Sequence, residues 1–293
     1  MDHVVVRRAT FPSYESISST LDKLEGICIR SDESVIVKPN LCYHRDPCGM
    51  IVTNPTLLEG VIRWLRKCTD RITVVESDNR SGSADRRVAE LGVIDLLEHM
   101  KVPFLNLSRE KLVQTSRVEG AEIYLPELVT SADYVVNLPK LKTCYGTTVT
   151  LSLKNAFGLI ANRNKPSMHR ILDKILLRIS KSIRQQVILV DGVMGMEGNG
   201  PLLGNPVQTE ILVAGTQPAS VDATCARIMG FDPFSIGHIK TCAEGGLGEI
   251  DPHEVKIVGE DVRSVARPFA PPSFAPLSVA RTLGSAAKLY LSR

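Results

Sequence analysis

Short apolar segments rich in β-branched residues recur along this chain, and each ends in polar or glycine-rich residues. They include HVVV at 3–6, SVIV at 34–37, ITVV at 72–75, YVVNL at 134–138 and VILV at 187–190. Such uninterrupted runs are typical of strands buried on both faces. Because segments with helical periodicity separate them, we predict an α/β fold: a mostly parallel twisted sheet with helices on both faces.

Length and composition set the domain organisation. A chain of 293 residues that is 43% hydrophobic can bury one large core. We predict a single α/β domain over residues 1–260, with a second, smaller lobe as the alternative. Two alternating segments around Glu119 and Gly120 predict a hairpin insertion at about 111–126. Residues 261–293 are predicted to be a proline-rich extension followed by a C-terminal helix.

Charge and hydropathy narrow the choice of partners. The net charge is only +3 and the basic residues are dispersed, so we expect no nucleic acid partner. No apolar run approaches the roughly 18 residues of a membrane span. The first residues, MDHVVV, begin a strand rather than a signal peptide, which predicts a cytoplasmic protein. Neither a nicotinamide nor a nucleotide fingerprint is present.

The segment at 133–158 is the strongest candidate for a functional site, because it runs from a buried strand through a polar loop into a helix. In open α/β sheets, ligands bind at the carboxyl ends of the strands. Hydrogen-bonding and cationic side chains are denser here than packing requires. They are Lys140, Lys142, Thr143, Cys144 and Thr147 in the loop, and Lys154 and Asn155 in the helix.

Other predicted strands also end in polar residues. Lys38 and Asn40 follow SVIV, although Lys38 can equally be a surface lysine. After ITVV, a loop with Glu76, Ser77, Ser81 and Gly82 can cradle a phosphate, and an ordinary turn is the alternative. Asp191 opens a glycine-rich segment that contains Glu197, Gly198 and Gly200, and Asp222 lies in the first turn of a later helix, where it also favours the helix dipole.

These residues suggest roles at a lysine-lined pocket for a small anionic metabolite. Lysines neutralise carboxylate or phosphate groups, and a desolvated lysine beside other cations can act as a base or nucleophile. Carboxylates can transfer protons. The predicted catalytic residues are Lys38, Lys142, Lys154, Asp191, Glu197 and Asp222. The predicted substrate-binding residues are Asn40, Lys140, Thr143, Thr147, Asn155, Ser81, Gly82, Gly198 and Gly200.

Three of the seven cysteines are candidates for metal binding. Cys42, Cys48 and Cys144 fall in polar loops after predicted strands, whereas the other four lie in core-like patterns. Thiolates select iron-sulfur clusters, zinc or copper, and His44 or His169 can supply a further ligand. Three reduced loop thiols without a metal are the alternative, because the spacing between Cys42 and Cys48 is not a strong metal signature.

Several motifs together resemble one known family. They are VIVKPNLC, TNPTLLEGVI, VVES, SADYVVNLPKLKT, TLSLKNAFG, VDGVMGMEGNGPLLG and ASVDATCARIMG, spread over roughly residues 33–250. The chain is similar to the domain of unknown function 362 family. The resemblance implies an α/β fold and, in many members, a fused ferredoxin-like segment with four-iron four-sulfur cysteines. This sequence has no such CxxCxxC run, and Cys144 stands where the family usually has a histidine after the lysine-threonine pair.

The function expected from these features is an enzyme acting on a small anionic metabolite. The first expectation is redox chemistry assisted by an iron-sulfur cluster or a single metal ion held by the loop cysteines. The alternatives are a metal-free acid-base enzyme of the lyase or isomerase type and a non-catalytic metabolite-binding protein. A second copy of the chain or a redox protein is the macromolecular partner that these readings allow.

Overall fold

The computed structural model describes residues 1–161, 165–183 and 186–273. The strands are β1 (Asp2–Arg8), β2 (Val35–Pro39), β3 (Ile72–Glu76), β4 (Phe104–Asn106), β5 (Leu112–Val118), β6 (Ala121–Pro126), β7 (Tyr134–Leu138), β8 (Lys140–Cys144), β9 (Thr148–Val149), β10 (Gln186–Asn199), β11 (Leu203–Gly215) and β12 (Val255–Gly259). The helices are α1 (Tyr14–Leu21), α2 (Pro55–Leu65), α3 (Ala84–Glu90), α4 (Val93–His99), α5 (Glu127–Ser131), α6 (Leu151–Asn155), α7 (Lys165–Met168), α8 (Leu172–Lys181), α9 (Pro218–Ile228), α10 (Gly237–Glu244) and α11 (Val262–Val265).

The central sheet is mostly parallel, which confirms the predicted fold class. Its strands follow the order β12-β1-β11-β10-β7-β2-β3-β4. On this path β11 runs antiparallel to both of its neighbours, and every other neighbouring pair is parallel. β8 pairs with β10 and with the short strand β9 at one end of the sheet.

Helices cover both faces of the sheet, because successive residues of the buried strands point to opposite sides. In β2, Ile36 packs into a core that includes residues of α6, α8, α9 and α10. Its neighbours Val35 and Val37 pack into a second core with α1, α2 and α4. The apolar strand segments of the sequence therefore fill two cores at once.

The strand order reverses beside β2. The chain goes from β2 to β3 and β4 on one side, and then returns to place β7 on the other side of β2. Such a reversal opens a crevice at the carboxyl ends of the strands, where open α/β sheets bind ligands. In this sheet β2 ends at Pro39, β7 at Leu138 and β3 at Glu76, and we name this edge the carboxyl-end crevice.

Two segments predicted as loops are strands. KLKTC forms β8, and the glycine-rich segment after Asp191 continues β10 as far as Asn199. The glycines of β10 permit close packing: a Cβ on Gly195 would lie 2.9 Å from Phe269 Cζ and 3.1 Å from the carbonyl oxygen of Leu141. Gly195 therefore serves packing, and Gly198 has the positive φ, +76°, that a glycine-rich segment suggests; ligand binding by Gly198 and Gly200 stays a prediction.

The hairpin β5–β6 forms its own two-stranded antiparallel sheet within the expected region. After α11, the proline-rich segment folds back onto the domain, where the N–H of Phe269 donates to the carbonyl of Met229. The predicted C-terminal helix lies outside the described residues, and the division into one domain and an extension stays a prediction. No helix in the described part of the chain combines the length and apolarity that a membrane crossing requires.

Candidate functional site

Two buried ion pairs form the floor of the carboxyl-end crevice. Lys38 Nζ of β2 lies 2.7 Å from a carboxylate oxygen of Glu76, which ends β3. Burial lowers the pKa of Lys38, and the facing Glu76 carboxylate acts in the opposite direction. Lys140 Nζ of β8 lies 2.8 Å from a carboxylate oxygen of Asp191 in β10. All four side chains are almost inaccessible to solvent.

Both carboxylates also organise the backbone around them. Asp191 accepts the N–H of Asn54 at 2.8 Å, and the Asn54 side chain in turn caps the start of α2. Asn54 and Pro55 thus start α2 as an N-cap acceptor and a proline in the first turn. Glu76 accepts the N–H groups of Leu41 and Ser77. The ion pairs therefore fix three loop positions at this edge of the sheet.

Lys142 lies in the same network without a carboxylate partner. Its Nζ, which is fully buried, donates to the Asn40 side-chain oxygen at 3.0 Å, the carbonyl of Ile51 at 2.6 Å and Cys42 Sγ at 3.2 Å. Among the described residues, no carboxylate comes within 4.0 Å of it. Its positive charge is therefore held by neutral acceptors and a thiol.

Three asparagines connect the strand ends to α6. Asn40 Nδ2 donates to Asn155 Oδ1 at 3.0 Å, and Asn155 Nδ2 donates to Asn137 Oδ1 at 2.7 Å. The backbone N–H of Asn40 donates to Thr53 Oγ1, which donates to the carbonyl of Leu138. These bonds tie β2, β7 and α6 together across the crevice.

A lysine that is only half-buried contacts the loop at the end of β3. Lys165, at the start of α7, places its Nζ 2.6 Å from Ser77 Oγ and 3.3 Å from the carbonyl of Asp78. Burial lowers the pKa of Lys165 to about 8; Glu76 acts against this shift, and the cations Lys38 and Arg87 add to it. Lys165 is half-buried, whereas Ser77 is fully buried and donates to the carbonyl of Gly158 at 2.6 Å.

Arg87 supplies a further buried cation. Its guanidinium donates to the carbonyls of Leu41 and Ser77, each at 2.7 Å, and also to Asn79 and Gly82. The residue is fully buried and makes no ion pair with any described carboxylate. Arg87 closes the loop after β3 onto the loop after β2.

Gly158 shows how tightly the crevice floor is packed. A Cβ at this position would lie 2.6 Å from Lys38 Cε and 3.1 Å from a carboxylate oxygen of Glu76. Only glycine allows this backbone to approach the ion pair so closely. Gly158 therefore holds the 3₁₀ turn Ala156–Leu159 directly over the ion pair.

The other face of α6 holds a different polar cluster. Asp222 of α9 accepts the N–H groups of Ser152 and Leu153 at 2.8 and 2.9 Å, and the Ser152 hydroxyl at 2.5 Å. Burial raises the pKa of Asp222 to about 7, although these three bonds favour its ionised form. The carboxylate holds an uncommon turn, because Leu151 has a φ of +49° and Thr148 a φ of +62°.

Lys154 follows Ser152 and Leu153 in α6. It lies near His238 of α10, whose pKa is lowered to about 3 by burial and by the lysine charge. Nε2 of His238 is buried and has no hydrogen-bond partner among the described residues. Asp222 and Lys154 were predicted to act with Lys38 and Lys142. In the described part of the chain, no hydrogen bond or ion pair links either residue to those two lysines.

A third group of predicted residues seals the contact between β8 and β10. The Thr143 hydroxyl donates to the carbonyl of Gly198 at 2.8 Å, and a Cβ on Gly200 would overlap the carbonyl oxygen of Thr143. The Glu197 carboxylate accepts the N–H of Ala270 at 2.9 Å. These contacts join β8 to β10 next to Lys142, which pairs with Met196 in the same ladder, and none of them involves a crevice lysine side chain.

Four further predicted residues lie at two other places. Thr147 and His169 line a cleft of ≈ 340 Å³ whose other lining residues are Glu119, Gly146, Arg170, Ile171, Leu172, Asp173 and Lys174. Ser81 and Gly82 lie in the turn after β3, where Gly82 closes a small bridge with Asn79 and accepts a bond from Arg87. The Gly82 carbonyl is thus a hydrogen-bond acceptor for the Arg87 guanidinium.

The predicted cysteine centre is not formed. Within residues 1–161, 165–183 and 186–273, no group of three or more histidine, cysteine or acidic side chains is placed to hold a metal ion. Cys144 is buried in β8, Cys48 packs beside the α2 core, and Cys42 contacts Lys142. His169 packs against Phe157 and lies near the carbonyl of Lys165. The donor set therefore does not fit a cluster or a single metal ion.

Sequence reasoning missed Arg87 and gave Lys165 no role. A signal for Arg87 was available, because residues 84, 87, 88 and 91 share one helical face and the other three are apolar. Lys165 was visible only as one of several basic residues in a polar segment. Its contact with Ser77 joins positions 88 residues apart, and no local pattern reports it.

The fold and the crevice define an open-sheet α/β protein with a polar site at the carboxyl ends of its strands. Residues 35–227 match the family described as "Domain of unknown function (DUF362)", and the chain belongs to this family. This confirms the resemblance seen in the sequence motifs.

Two proteins illustrate the range of similarity. The thylakoid-associated protein sll1697 of Synechocystis sp. is 29% identical over 231 residues, which are 75% of this chain and 71% of that protein. The lactate racemase apoprotein from Thermoanaerobacterium thermosaccharolyticum matches 78% of this chain with a TM-score of 0.41 and 13% identity. The match spans 57% of the racemase chain, and a likeness this distant carries no argument about function.

Proposed function

We propose that this protein is a metal-free acid-base enzyme that acts on a small anionic metabolite at the carboxyl-end crevice. One observation carries the proposal: three basic side chains at the crevice have no carboxylate partner among the described residues. They are Lys142, Lys165 and Arg87. The crevice lies where the strand order reverses, which is the usual ligand position in such sheets.

The unpaired charges favour an anionic ligand. Removing a cation from water is costly unless an opposite charge compensates it. Glu76 and Asp191 provide that compensation for Lys38 and Lys140. A carboxylate or phosphate group bound at the crevice would provide it for the remaining cations.

Lys165 is the best candidate for the acid-base group. General acid-base catalysis is most efficient when the pKa of the group lies near the working pH. The pKa of Lys165 is lowered to about 8, and the residue is half-buried rather than closed off. Lys142, which was predicted to be catalytic, is fully buried and provides positive charge rather than proton transfer.

The redox reaction predicted from the cysteines receives no support from the donor geometry. Cys42, Cys48 and Cys144 do not gather with other ligands into a metal-binding group in the part of the chain that the structure describes. The metal-free alternative needs only groups that lie together at the crevice. For this reason it replaces redox chemistry as the proposed function.

Anion-dependent thermal stabilisation tests this proposal. Phosphate, oxalate and pyruvate would be added at constant ionic strength, with chloride as the reference ion. A ligand present at 100 times its dissociation constant stabilises the fold by about 2.7 kcal/mol. We expect one of these anions to raise Tm in the native protein, and we expect Lys165→Met to lose most of that increase.

Lys174→Met is the matched control, because Lys174 is exposed and paired with Glu119 at the surface. It should retain the full anion effect. An equal loss in both variants, or no anion effect in the native protein, would contradict the proposal.

A further inference from the structure

We infer that Lys165 is the nucleophile of the crevice and that the substrate is a small carbonyl compound with an anionic group, held as an imine on Lys165 Nζ. This inference rests on the proposed function and names the substrate class of the same site. It draws on access, local charge and the Ser77 contact.

Access distinguishes Lys165 from the other basic residues of the crevice. Lys38 and Lys140 are 1% exposed, and Lys142 and Arg87 are 0% exposed. Lys165 is the half-buried member of this set. A ligand that approaches the carboxyl ends of the strands therefore meets the Lys165 amine before any other cationic group of the set.

The surrounding charges favour the free amine, which is the nucleophilic form. Lys38 and Arg87 repel the ammonium form of Lys165, whereas Glu76 and Asp78 act against them. Glu76 is already bound to Lys38 at 2.7 Å, and Asp78 accepts the N–H of Ala84 at 2.8 Å. Burial and the two cations prevail, and they lower the pKa of Lys165 to about 8.

Ser77 is placed to transfer a proton during imine formation. Its hydroxyl lies 2.6 Å from Lys165 Nζ and is also bonded to the carbonyl of Gly158. Ser77 is less suited to be the nucleophile itself, because its side chain is 1% exposed. The serine is therefore a positioning and proton-transfer residue, and the lysine forms the covalent bond.

The chemistry balances without an oxidant or reductant. The lone pair of the neutral Lys165 amine attacks the carbonyl carbon, and the carbonyl oxygen takes up a proton to give a carbinolamine. That hydroxyl is protonated and leaves as water, while the nitrogen loses its remaining proton. The net change is amine plus carbonyl to imine plus water. The anionic group of the substrate compensates the charge of Arg87, which has no carboxylate partner among the described residues.

Reductive trapping tests the inference. Glyoxylate serves as the anionic carbonyl probe, acetaldehyde as a neutral probe of similar size, and sodium cyanoborohydride as the reductant. After trypsin digestion, mass spectrometry locates the modified lysine. We expect glyoxylate to label Lys165 on the order of ten-fold faster than Lys174 near pH 7.5, since a lowered pKa leaves more free amine. Acetaldehyde should show a smaller preference.

Two variants and a pH series complete the design. Lys165→Arg keeps the positive charge but cannot form an imine, so the anion-induced rise in Tm should survive while trapping at this position is lost. Ser77→Ala should slow trapping without lowering the final yield. Labelling of Lys165 should increase through pH 8, ahead of the surface lysines.

The outcomes separate the inference from the proposed function. An anion-induced rise in Tm with no adduct at Lys165, or with labelling no faster than at Lys174, overturns the imine and leaves the anion site standing. Adduct formation at Lys165 that is equal for glyoxylate and acetaldehyde overturns the anionic substrate class. Rapid, glyoxylate-selective labelling of Lys165 supports both.

Discussion

The two faces of α6 hold buried charge in different ways. On the crevice side, Lys38 with Glu76 and Lys140 with Asp191 are ion pairs with separations of 2.7 and 2.8 Å. On the α9 side, Asp222 is equally buried but has no cation within ion-pair distance among the described residues, and three hydrogen-bond donors surround it. An ion pair preserves both charges, whereas isolation shifts the pKa of a group toward its neutral form.

The difference indicates which region can respond to pH. In the crevice floor, the opposite charges of each ion pair offset part of each other's cost of burial, although burial still lowers the pKa of Lys38. Asp222, with its pKa raised to about 7, changes its protonation state near neutral pH. Lys165 lies at the margin of the crevice and is only half-buried, but like Asp222 it has no ion-pair partner among the described residues.

Breaking an ion pair should have the largest effect on stability. Lys140→Met leaves the Asp191 carboxylate buried without a cation, and we expect the free energy of unfolding to fall by about 3–5 kcal/mol. Urea denaturation measures the change. The double variant Lys140→Met/Asp191→Asn should recover much of the loss, because no isolated charge remains. If the double variant is as unstable as the single one, the pairing of charge is not what stabilises this region.

The next largest effect is the pH dependence of stability that arises from Asp222, on the α9 side of α6. The pKa of Asp222 rises from 3.8 to about 7 on folding, so the fold disfavours the ionised carboxylate. Its contribution to stability is therefore complete below pH 4 and is lost as pH rises to about 7, with a total change of at most about 4 kcal/mol. Asp222→Asn, which mimics the neutral form, should flatten this part of the profile. Unfolding free energies from pH 4 to 8 provide the measurement, and an unchanged profile in the variant would refute the assignment.

The smallest change in the free energy of unfolding should be an increase rather than a decrease. Lys165→Met removes an uncompensated charge, and we expect the free energy of unfolding at pH 7 to increase by about 2 kcal/mol. The native protein should gain stability between pH 8 and about 10.5 as Lys165 loses its proton, and the variant should not. Lys174→Met, at an exposed pair, should change stability by less than about 1 kcal/mol. A loss of stability in Lys165→Met would show that the lysine has a compensating partner.

The sequence predicted the sheet better than the site. Consecutive β-branched residues predict buried strands such as β2 and β3. The Asn54–Pro55 pair indicates a helix start through local chemistry alone. The sequence predicted a polar loop in place of β8, because lysines at alternate positions of a short segment are typical of exposed loops. Lys140 and Lys142 are nevertheless buried, because Asp191 and Asn40 reach them from 51 and 102 residues away.

Lys38, Asn40, Lys140, Lys142, Asn155 and Asp191 do meet at one place in the structure. Their expected proximity followed from the rule that parallel strands end at the same edge. This rule did not place Lys154 and Asp222, because they lie within helices α6 and α9 rather than at the ends of strands. Long-range partners and side-chain direction are the two quantities that a single sequence leaves open.

The position of β1 in the sheet also has a consequence for biosynthesis. Val4 of β1 pairs with Gly215 of β11 on one side and with Ile257 of β12 on the other. At a synthesis rate of about 5–20 residues per second, the first strand waits roughly 10–40 s for either neighbour to leave the ribosome. During that interval its apolar edge is unpaired, and such segments are prone to aggregate or to recruit chaperones. We therefore expect the nascent chain, rather than the finished fold, to be the stage at which this protein is most vulnerable.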